Sequence, residues 1–247
     1  MNIRTFRIMK SVLIMGVMLF LICLAYAQQV GDIRTTGVAT TGSATNWQKW
    51  NGSNWVALGQ SPSSLSPITA NVAFRHTVTV DANLEINGAI TNPNLSPLTV
   101  NSGKTFTVGG SYQLSLLTVN TGGRFANNGT VTAVGNSADI QLKDGTTPNS
   151  GGILENNGTI TMNGNLNVGS YARIVSGPNG VIGGTGQMKA KDEGAGFTIA
   201  NPGGYTAAIQ LSGRLNVKNP CFIFNGGSNQ VTGDLPEPIY FLTVASG

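Results

Sequence analysis

Beyond residue 67 the chain alternates apolar and polar side chains in short runs. His76-Thr77-Val78-Thr79-Val80-Asp81 puts Val78 and Val80 on one side and Thr77, Thr79 and Asp81 on the other, the period of two that marks a half-buried strand. The same alternation continues through Leu84 and Ile86, Leu98 and Val100, Phe106 and Val108, Leu117 and Val119, Val131 and Ala133, Ile160 and Met162, Leu166 and Val168, Ile209 and Leu211, and Leu215 and Val217. Turn residues part nearly every pair: Asn101-Ser102-Gly103, Thr121-Gly122-Gly123, Asn128-Gly129, Asn163-Gly164, Pro178-Asn179-Gly180 and Gly183-Gly184. These glycines are expected to supply the positive φ angles of tight corners. No window after Ala27 combines helical periodicity with a capping signal of useful length.

Short strands of this spacing suit either a sandwich or a solenoid. Internal repetition separates the two. Asn127-Asn128-Gly129-Thr130-Val131-Thr132 returns as Asn156-Asn157-Gly158-Thr159-Ile160-Thr161, and Leu98-Thr99-Val100-Asn101-Ser102-Gly103 returns as Leu117-Thr118-Val119-Asn120-Thr121-Gly122. A sandwich has no reason to repeat such phrases, whereas a parallel β-helix stacks each phrase on its counterpart one turn away. The predicted fold is therefore all-β, a parallel β-helix (β-solenoid), right-handed if its crossovers follow the usual hand. Rungs of about 19 to 29 residues at about 4.8 Å would give roughly eight turns and a rod of about 40 Å.

Residues 28–67 differ in composition. All three tryptophans, Trp47, Trp50 and Trp55, lie there, followed by a Pro/Ser stretch from Ser61 to Pro67. This segment reads as a cap over the apolar end of the coil, with an aromatic platform for sugar rings as the competing reading. The expected organisation is a signal peptide (1–27), a Trp-rich N-terminal cap region (28–67) and solenoid repeats (68–247).

The leader carries Arg4, Arg7 and Lys10 before an apolar run from Ser11 to Leu24, with Ala25-Tyr26-Ala27 as a small-x-small cleavage site. The run falls short of the roughly 20 residues that span a bilayer, so no membrane span is expected after cleavage. Ile22 before Cys23 argues against a lipoprotein. Secretion or cell-surface display follows, reached through the inner membrane.

The chain carries 34 Gly and 26 Asn, with only 10% charged residues, well below the roughly 25% of ordinary soluble domains. The net charge of +4 nearly vanishes once the three basic residues of the leader are set aside. That balance lacks the electrostatic footprint of a nucleic-acid binder. Past the leader Cys221 is the one cysteine, which leaves no internal disulfide framework. Within Pro220-Cys221-Phe222-Ile223-Phe224 it reads as a small buried apolar side chain.

Several stretches together carry a resemblance: Gly31-Asp32-Ile33-Arg34, the Trp47-x-x-Trp50-Asn51-Gly52-Ser53-x-Trp55 run, the His76 to Val80 strand and the Leu-Thr-Val-Asn-x-Gly rungs. Phe224-Asn225-Gly226-Gly227-x-x-Gln230-Val231-Thr232-Gly233 followed by Phe241-Leu242-Thr243-Val244 adds a rung unit near the other end. The chain resembles the N-terminal region of large secreted β-helical surface proteins exported by type IX secretion. The resemblance implies an adhesin or surface scaffold. Such proteins commonly end in a sorting domain, and this sequence shows none before Gly247. A truncated coil is thus expected, able to self-associate through an uncapped C-terminal rung.

Little points to chemistry. Gly103-Lys104-Thr105 lacks the first glycine of a phosphate loop, since Leu98 stands there, and no helix follows. Gly183-Gly184-Thr185-Gly186 sits in no βαβ unit. His76, the lone histidine, lies on a strand without a nucleophile elbow. One histidine and one thiol cannot form a structural zinc cluster, and the acidic residues lack calcium-loop spacing. Polysaccharide lyases and hydrolases need carboxylates close together, or a carboxylate near a base, on one face of neighbouring rungs. Asp139, Asp144 and Glu155 come nearest to that, and Lys189-Ala190-Lys191-Asp192-Glu193 reads as a solvated turn. Asn51-Gly52-Ser53, Asn128-Gly129-Thr130 and Asn157-Gly158-Thr159 match glycosylation acceptors but read as turns. No catalytic, cofactor or metal residue is assigned. The expected function is a non-enzymatic secreted or surface scaffold or adhesin with glycans or other surface proteins as partners. The alternative is a carbohydrate-binding module using Trp47, Trp50 and Trp55, and a less favoured one is a polysaccharide-cleaving β-helix.

Overall fold

The computed structural model describes residues 28–134, 138–190, 194–213, 215–217, 220–226, 230–237, 239 and 241–245. The expected signal peptide (1–27), Lys191, Asp192, Glu193, Gly227, Ser246 and Gly247 lie outside the described residues.

Three walls of parallel strands wind into a β-solenoid of about seven turns. The first wall runs from a hairpin, Trp55–Ala57 and Trp47–Trp50, through Ile33–Thr35, Val72–Ala73, Ile90–Thr91, Ser111–Leu114, Thr130–Ala133, Thr159–Thr161 and Val181–Gly184 to Ile209–Leu211. The second contains Ala39–Thr40, Val78–Val80, Leu98–Val100, Leu116–Val119, Asp139–Leu142, Asn165–Val168, Gln187–Ala190 and Leu215–Val217. The third contains Leu84–Ile86, Thr105–Val108, Arg124–Asn127, Ile153–Asn156, Arg173–Ser176, Gly196–Ile199, Cys221–Phe224 and Phe241–Val244. The chain visits the walls in that order, and its strands pair with those one turn earlier and later.

Both repeated phrases stack on themselves. Leu98, Thr99 and Val100 pair with Leu117, Thr118 and Val119, while Asn127 pairs with Asn156 and Thr130, Val131 and Thr132 pair with Thr159, Ile160 and Thr161. Rung length varies from the 18 residues separating Val72 and Ile90 to the 39 separating Ile33 and Val72, where the hairpin is inserted, and reaches 29 between Val131 and Ile160. Slack is taken up at the corners, so the walls keep register. The turn count is about seven rather than eight because the first rung, from Ile33 to Val72, takes 39 residues and includes the N-terminal hairpin.

Alternation fills the lumen. Val78, Leu98, Leu117, Ile140, Leu166 and Met188 form a continuous inward column on the second wall, all essentially inaccessible. Burying each such side chain contributes about 1.5–3 kcal/mol. Buried aromatic rings pack together in two groups. Phe74, Phe106, Tyr112 and Phe125 meet at centroid separations of 5.7–6.3 Å, and Phe197 stacks on Phe222 at 5.1 Å with Tyr205 edge-on.

The corner glycines play two different roles, where the sequence suggests one. Gly103, Gly122 and Gly184 do adopt positive φ. Gly129 and Gly158 do not; a Cβ on Gly129 would overlap the carbonyl oxygen of Gly110, and one on Gly158 would overlap that of Gly129. Close stacking of successive corners, rather than left-handed backbone, requires glycine there.

The N-terminal hairpin is antiparallel, and it adds two strands beyond Ile33–Thr35. Parallel stacking nevertheless begins within residues 28–67, since Ile33 pairs with Val72 and Ala39 with Val78. A five-residue helix, Gly204–Ala208, lies just before the last described strand of the first wall. Near the other end, Gln230 Nε2 donates to the carbonyls of Ile199 and Asn201, Val231 N donates to Pro202 O, and Leu235 and Ile239 pack against the core. Phe241–Val244 then joins the third wall alone, leaving Phe241, Leu242 and Val244 exposed.

Candidate functional site

The three tryptophans divide by strand alternation. Trp47 faces inward at 2% exposure. Its Nε1 donates to the carbonyl of Thr40 at 2.9 Å, and its ring meets Phe74 edge-on at 6.2 Å. Its polar atom is satisfied and its faces are covered, so it belongs to the core and offers no stacking surface.

Trp50 and Trp55 pair across the hairpin and are half-buried against each other, with centroids 5.6 Å apart and planes tilted by 56°. Arg34 completes the cluster from the neighbouring strand. Its Cζ lies 4.2 Å from the Trp55 ring centroid, while Nε and Nη2 donate to Gln48 Oε1 at 3.1 and 2.8 Å. The guanidinium is therefore held over the ring in a cation–π contact. Partial burial, and the nearby charge of Arg75, lower the Arg34 pKa from its ordinary value. The group remains cationic under physiological conditions. Among the described residues no carboxylate lies within ion-pair distance of Arg34 or Arg75. The arrangement suits stacking on the apolar face of a sugar ring together with a hydrogen bond from Arg34, over a limited aromatic area.

The polar residues singled out in the sequence do structural work. Asp139 Oδ1 accepts from the backbone N of Asn165 at 2.6 Å and from its Nδ2 at 3.3 Å; Asp144 Oδ1 accepts from Ser170 N at 3.0 Å. Glu155 pairs with Arg124 at 3.0 Å across adjacent rungs. His76 sits at a corner, its N donating to Thr35 Oγ1 at 3.1 Å and its Nδ1 3.5 Å from the same oxygen. Asn51 Oδ1 accepts from Ser53 N and Asn54 N, as an Asx turn does.

Cys221 departs from the expectation of a buried side chain. The alternation that points Phe222 and Phe224 inward turns Cys221 outward, where it is half-buried. Desolvation pushes its thiol pKa up, which lowers its nucleophilic fraction. Among the described residues, no cluster of three or more His, Cys, Asp or Glu gathers as metal ligands would.

One feature is not visible as a motif. The seven strands of the first wall from Val72–Ala73 to Ile209–Leu211 contain no Asp, Glu, Lys or Arg. The second wall carries Asp139 and Lys189, and the third carries Glu85, Arg124, Glu155 and Arg173. The Trp50–Trp55–Arg34 cluster stands at the N-terminal end of this neutral wall, since Arg34 pairs with Gln48 on one side and Ala73 on the other.

No protein-family profile matches the chain, and no curated protein or solved structure matches it either.

Proposed function

We propose that this β-solenoid is a non-enzymatic protein of the cell surface or secreted space that serves as a scaffold or adhesin. The observation that carries the reading is the employment of its polar side chains. Asp139, Asp144, Asn127 and Asn156 tie one rung to the next, so the groups that could do chemistry are committed to holding the walls. The leader-like first 27 residues and the resemblance to type IX-exported β-helical surface proteins support the same reading. Fractionation of cells carrying an epitope-tagged full-length chain tests it. The tag is expected at the outer surface or in the medium, and deletion of the gene is expected to reduce adhesion. Retention of the tag in the cytoplasm would overturn the reading.

A second reading is a carbohydrate-binding module, and the half-buried Trp50–Trp55 pair beside Arg34 favours it. Trp47 has no contact role in it. Binding on a glycan array should be lost in Trp50→Ala and kept in Lys49→Ala, with both variants matching the wild-type circular dichroism. Equal binding by both variants would remove the reading.

A further inference from the structure

We propose that the outer surface of the first wall is a docking surface for an extended, uncharged polysaccharide laid along the solenoid axis, with Trp50 and Trp55 at one end of the track. The proposal rests on the reading of the chain as a surface binding scaffold and names the chemistry of its partner.

Three observations carry it. The first is charge. Across the seven strands from Val72–Ala73 to Ile209–Leu211 there is no Asp, Glu, Lys or Arg, while both other walls carry charge. A neutral wall gives a polyanionic glycan no electrostatic gain and does not penalise a neutral one.

The second is relief and spacing. The outward positions at the centre of the wall are short or unbranched polar side chains: Ser111, Thr130 and Thr159 form one column, and Gln113, Thr132 and Thr161 another. Columns advance by about 4.8 Å per rung and stand about 6.6 Å apart along the strand. A pyranose unit in an extended chain advances by close to one rung. Alternate sugars of a two-fold-screw chain can therefore meet every second rung in the same way.

The third is unused hydrogen-bonding capacity. Thr130, Thr132, Thr159 and Thr161 are exposed, and no hydrogen bond within the described residues occupies their hydroxyls. Each is both donor and acceptor, the complement of a sugar hydroxyl. Asn157 Nδ2 donates to Asn128 Oδ1 at 3.1 Å beside them, extending the ladder by a third column. The same periodic hydroxyls would also order water, but the aromatic pair on the same wall favours the carbon face of a sugar over ice.

The test uses the purified full chain with microcrystalline cellulose and chitin as solid probes, and with a soluble polyuronate. Retention on at least one neutral polymer, unaffected by added salt, is expected, with none on the polyuronate. The double variant Thr132→Arg/Thr161→Arg should bind about tenfold more weakly or worse. Gln141→Arg/Asn167→Arg on the second wall should bind like the wild type. Circular dichroism and melting curves of both variants establish that the fold is intact, and Thr132→Tyr/Thr161→Tyr offers an uncharged block should the arginines unfold the wall. The proposal is overturned by unchanged binding of the folded first-wall variants, by no retention on either neutral polymer, or by preference for the polyuronate. Inhibition of ice recrystallisation without retention on polysaccharide would also overturn it and assign the wall to ordered water. Loss of binding in Trp50→Ala with no effect of the first-wall variants would confine recognition to the aromatic pair. Surface display is measured separately by fractionation, so its failure would remove the surface reading without being mistaken for failure of the track.

Discussion

Asn127 donates from Nδ2 to Asn156 Oδ1 at 2.8 Å, and the two fully buried side chains lie one complete turn of the coil apart. Asn127 Oδ1 accepts from Gly129 N, and Asn156 Nδ2 donates to Val181 O. The pair therefore satisfies corner backbone in addition to linking rungs. Asn127→Ala would strand buried Asn156 Oδ1, at about 1–3 kcal/mol, and remove the acceptor of the half-buried Gly129 N–H. Urea melts should show the loss. Asn127→Leu should be no better tolerated, because it strands the same groups.

Asn127→Asp adds a pH dependence. A buried carboxyl facing Asn156 Oδ1 has its pKa raised by desolvation and by an acceptor neighbour. Stability is then retained below the ordinary carboxylate range of about 4 and lost as pH rises through the elevated folded value. Melting temperatures from pH 3 to 8 should fall for the variant relative to the wild type.

The two kinds of corner glycine predict opposite tolerances. Gly158→Ala drives a methyl into the Gly129 carbonyl oxygen and should unfold the corner. A Cβ on Gly103 meets nothing within 4 Å, so Gly103→Ala faces only its φ of +67°, a cost of about 1–2 kcal/mol. Thermal melts of the two variants should separate clearly, with Gly158→Ala the worse. Equal losses would mean that the stacked corners relax.

Tyr112 and Tyr205 are buried with hydroxyls that find no partner among the described residues. Burial raises both phenol pKa values far above the ordinary 10. Only the unfolded chain then ionises as pH passes about 10, so these groups favour the folded state below that pH and destabilise it increasingly above. Tyr112→Phe should leave stability at pH 7 unchanged or raised by about 1 kcal/mol and should flatten the alkaline loss. Melts at pH 7 and pH 11 measure both effects.

Phe241, Leu242 and Val244 are exposed on a strand that, among the described residues, pairs with Cys221–Phe224. An exposed apolar strand is a template for another strand. Concentration-dependent association is expected in analytical ultracentrifugation, and Leu242→Lys/Val244→Lys should suppress it.

The stacking is legible in the sequence because near-identical phrases admit one natural alignment, and Asn127 over Asn156 follows directly from it. Alternation likewise identifies Leu98, Val100, Leu117 and Val119 as lumen residues. The same rule would have turned Cys221 outward, but the apolar neighbours Phe222, Ile223 and Phe224 mask the period. Gly129 and Gly103 look alike in sequence because a turn glycine gives no sign of whether a neighbouring rung presses on it. The neutral wall is harder to see. Its strands come from rungs of 18 to 29 residues, so no fixed spacing collects Gln113, Thr132 and Thr161, and only the fold places them in one line. The tryptophans cluster plainly in sequence, yet which one faces inward depends on the hairpin register that pairs Thr35 with Trp47.

Parallel pairing with the turns before and after has a kinetic consequence. A wall strand cannot complete its ladder from residues beside it in sequence; it waits for the next rung, some 18 to 39 residues later. Each closure spans a short loop, so the coil can lengthen by accretion onto an existing rung rather than by one global collapse. The hairpin that anchors Trp47 against Phe74 supplies a ready-made first surface at the end synthesised first. Pulse-labelling hydrogen exchange should then show protection advancing from the N-terminal rungs toward Cys221, and simultaneous protection of all rungs would contradict it.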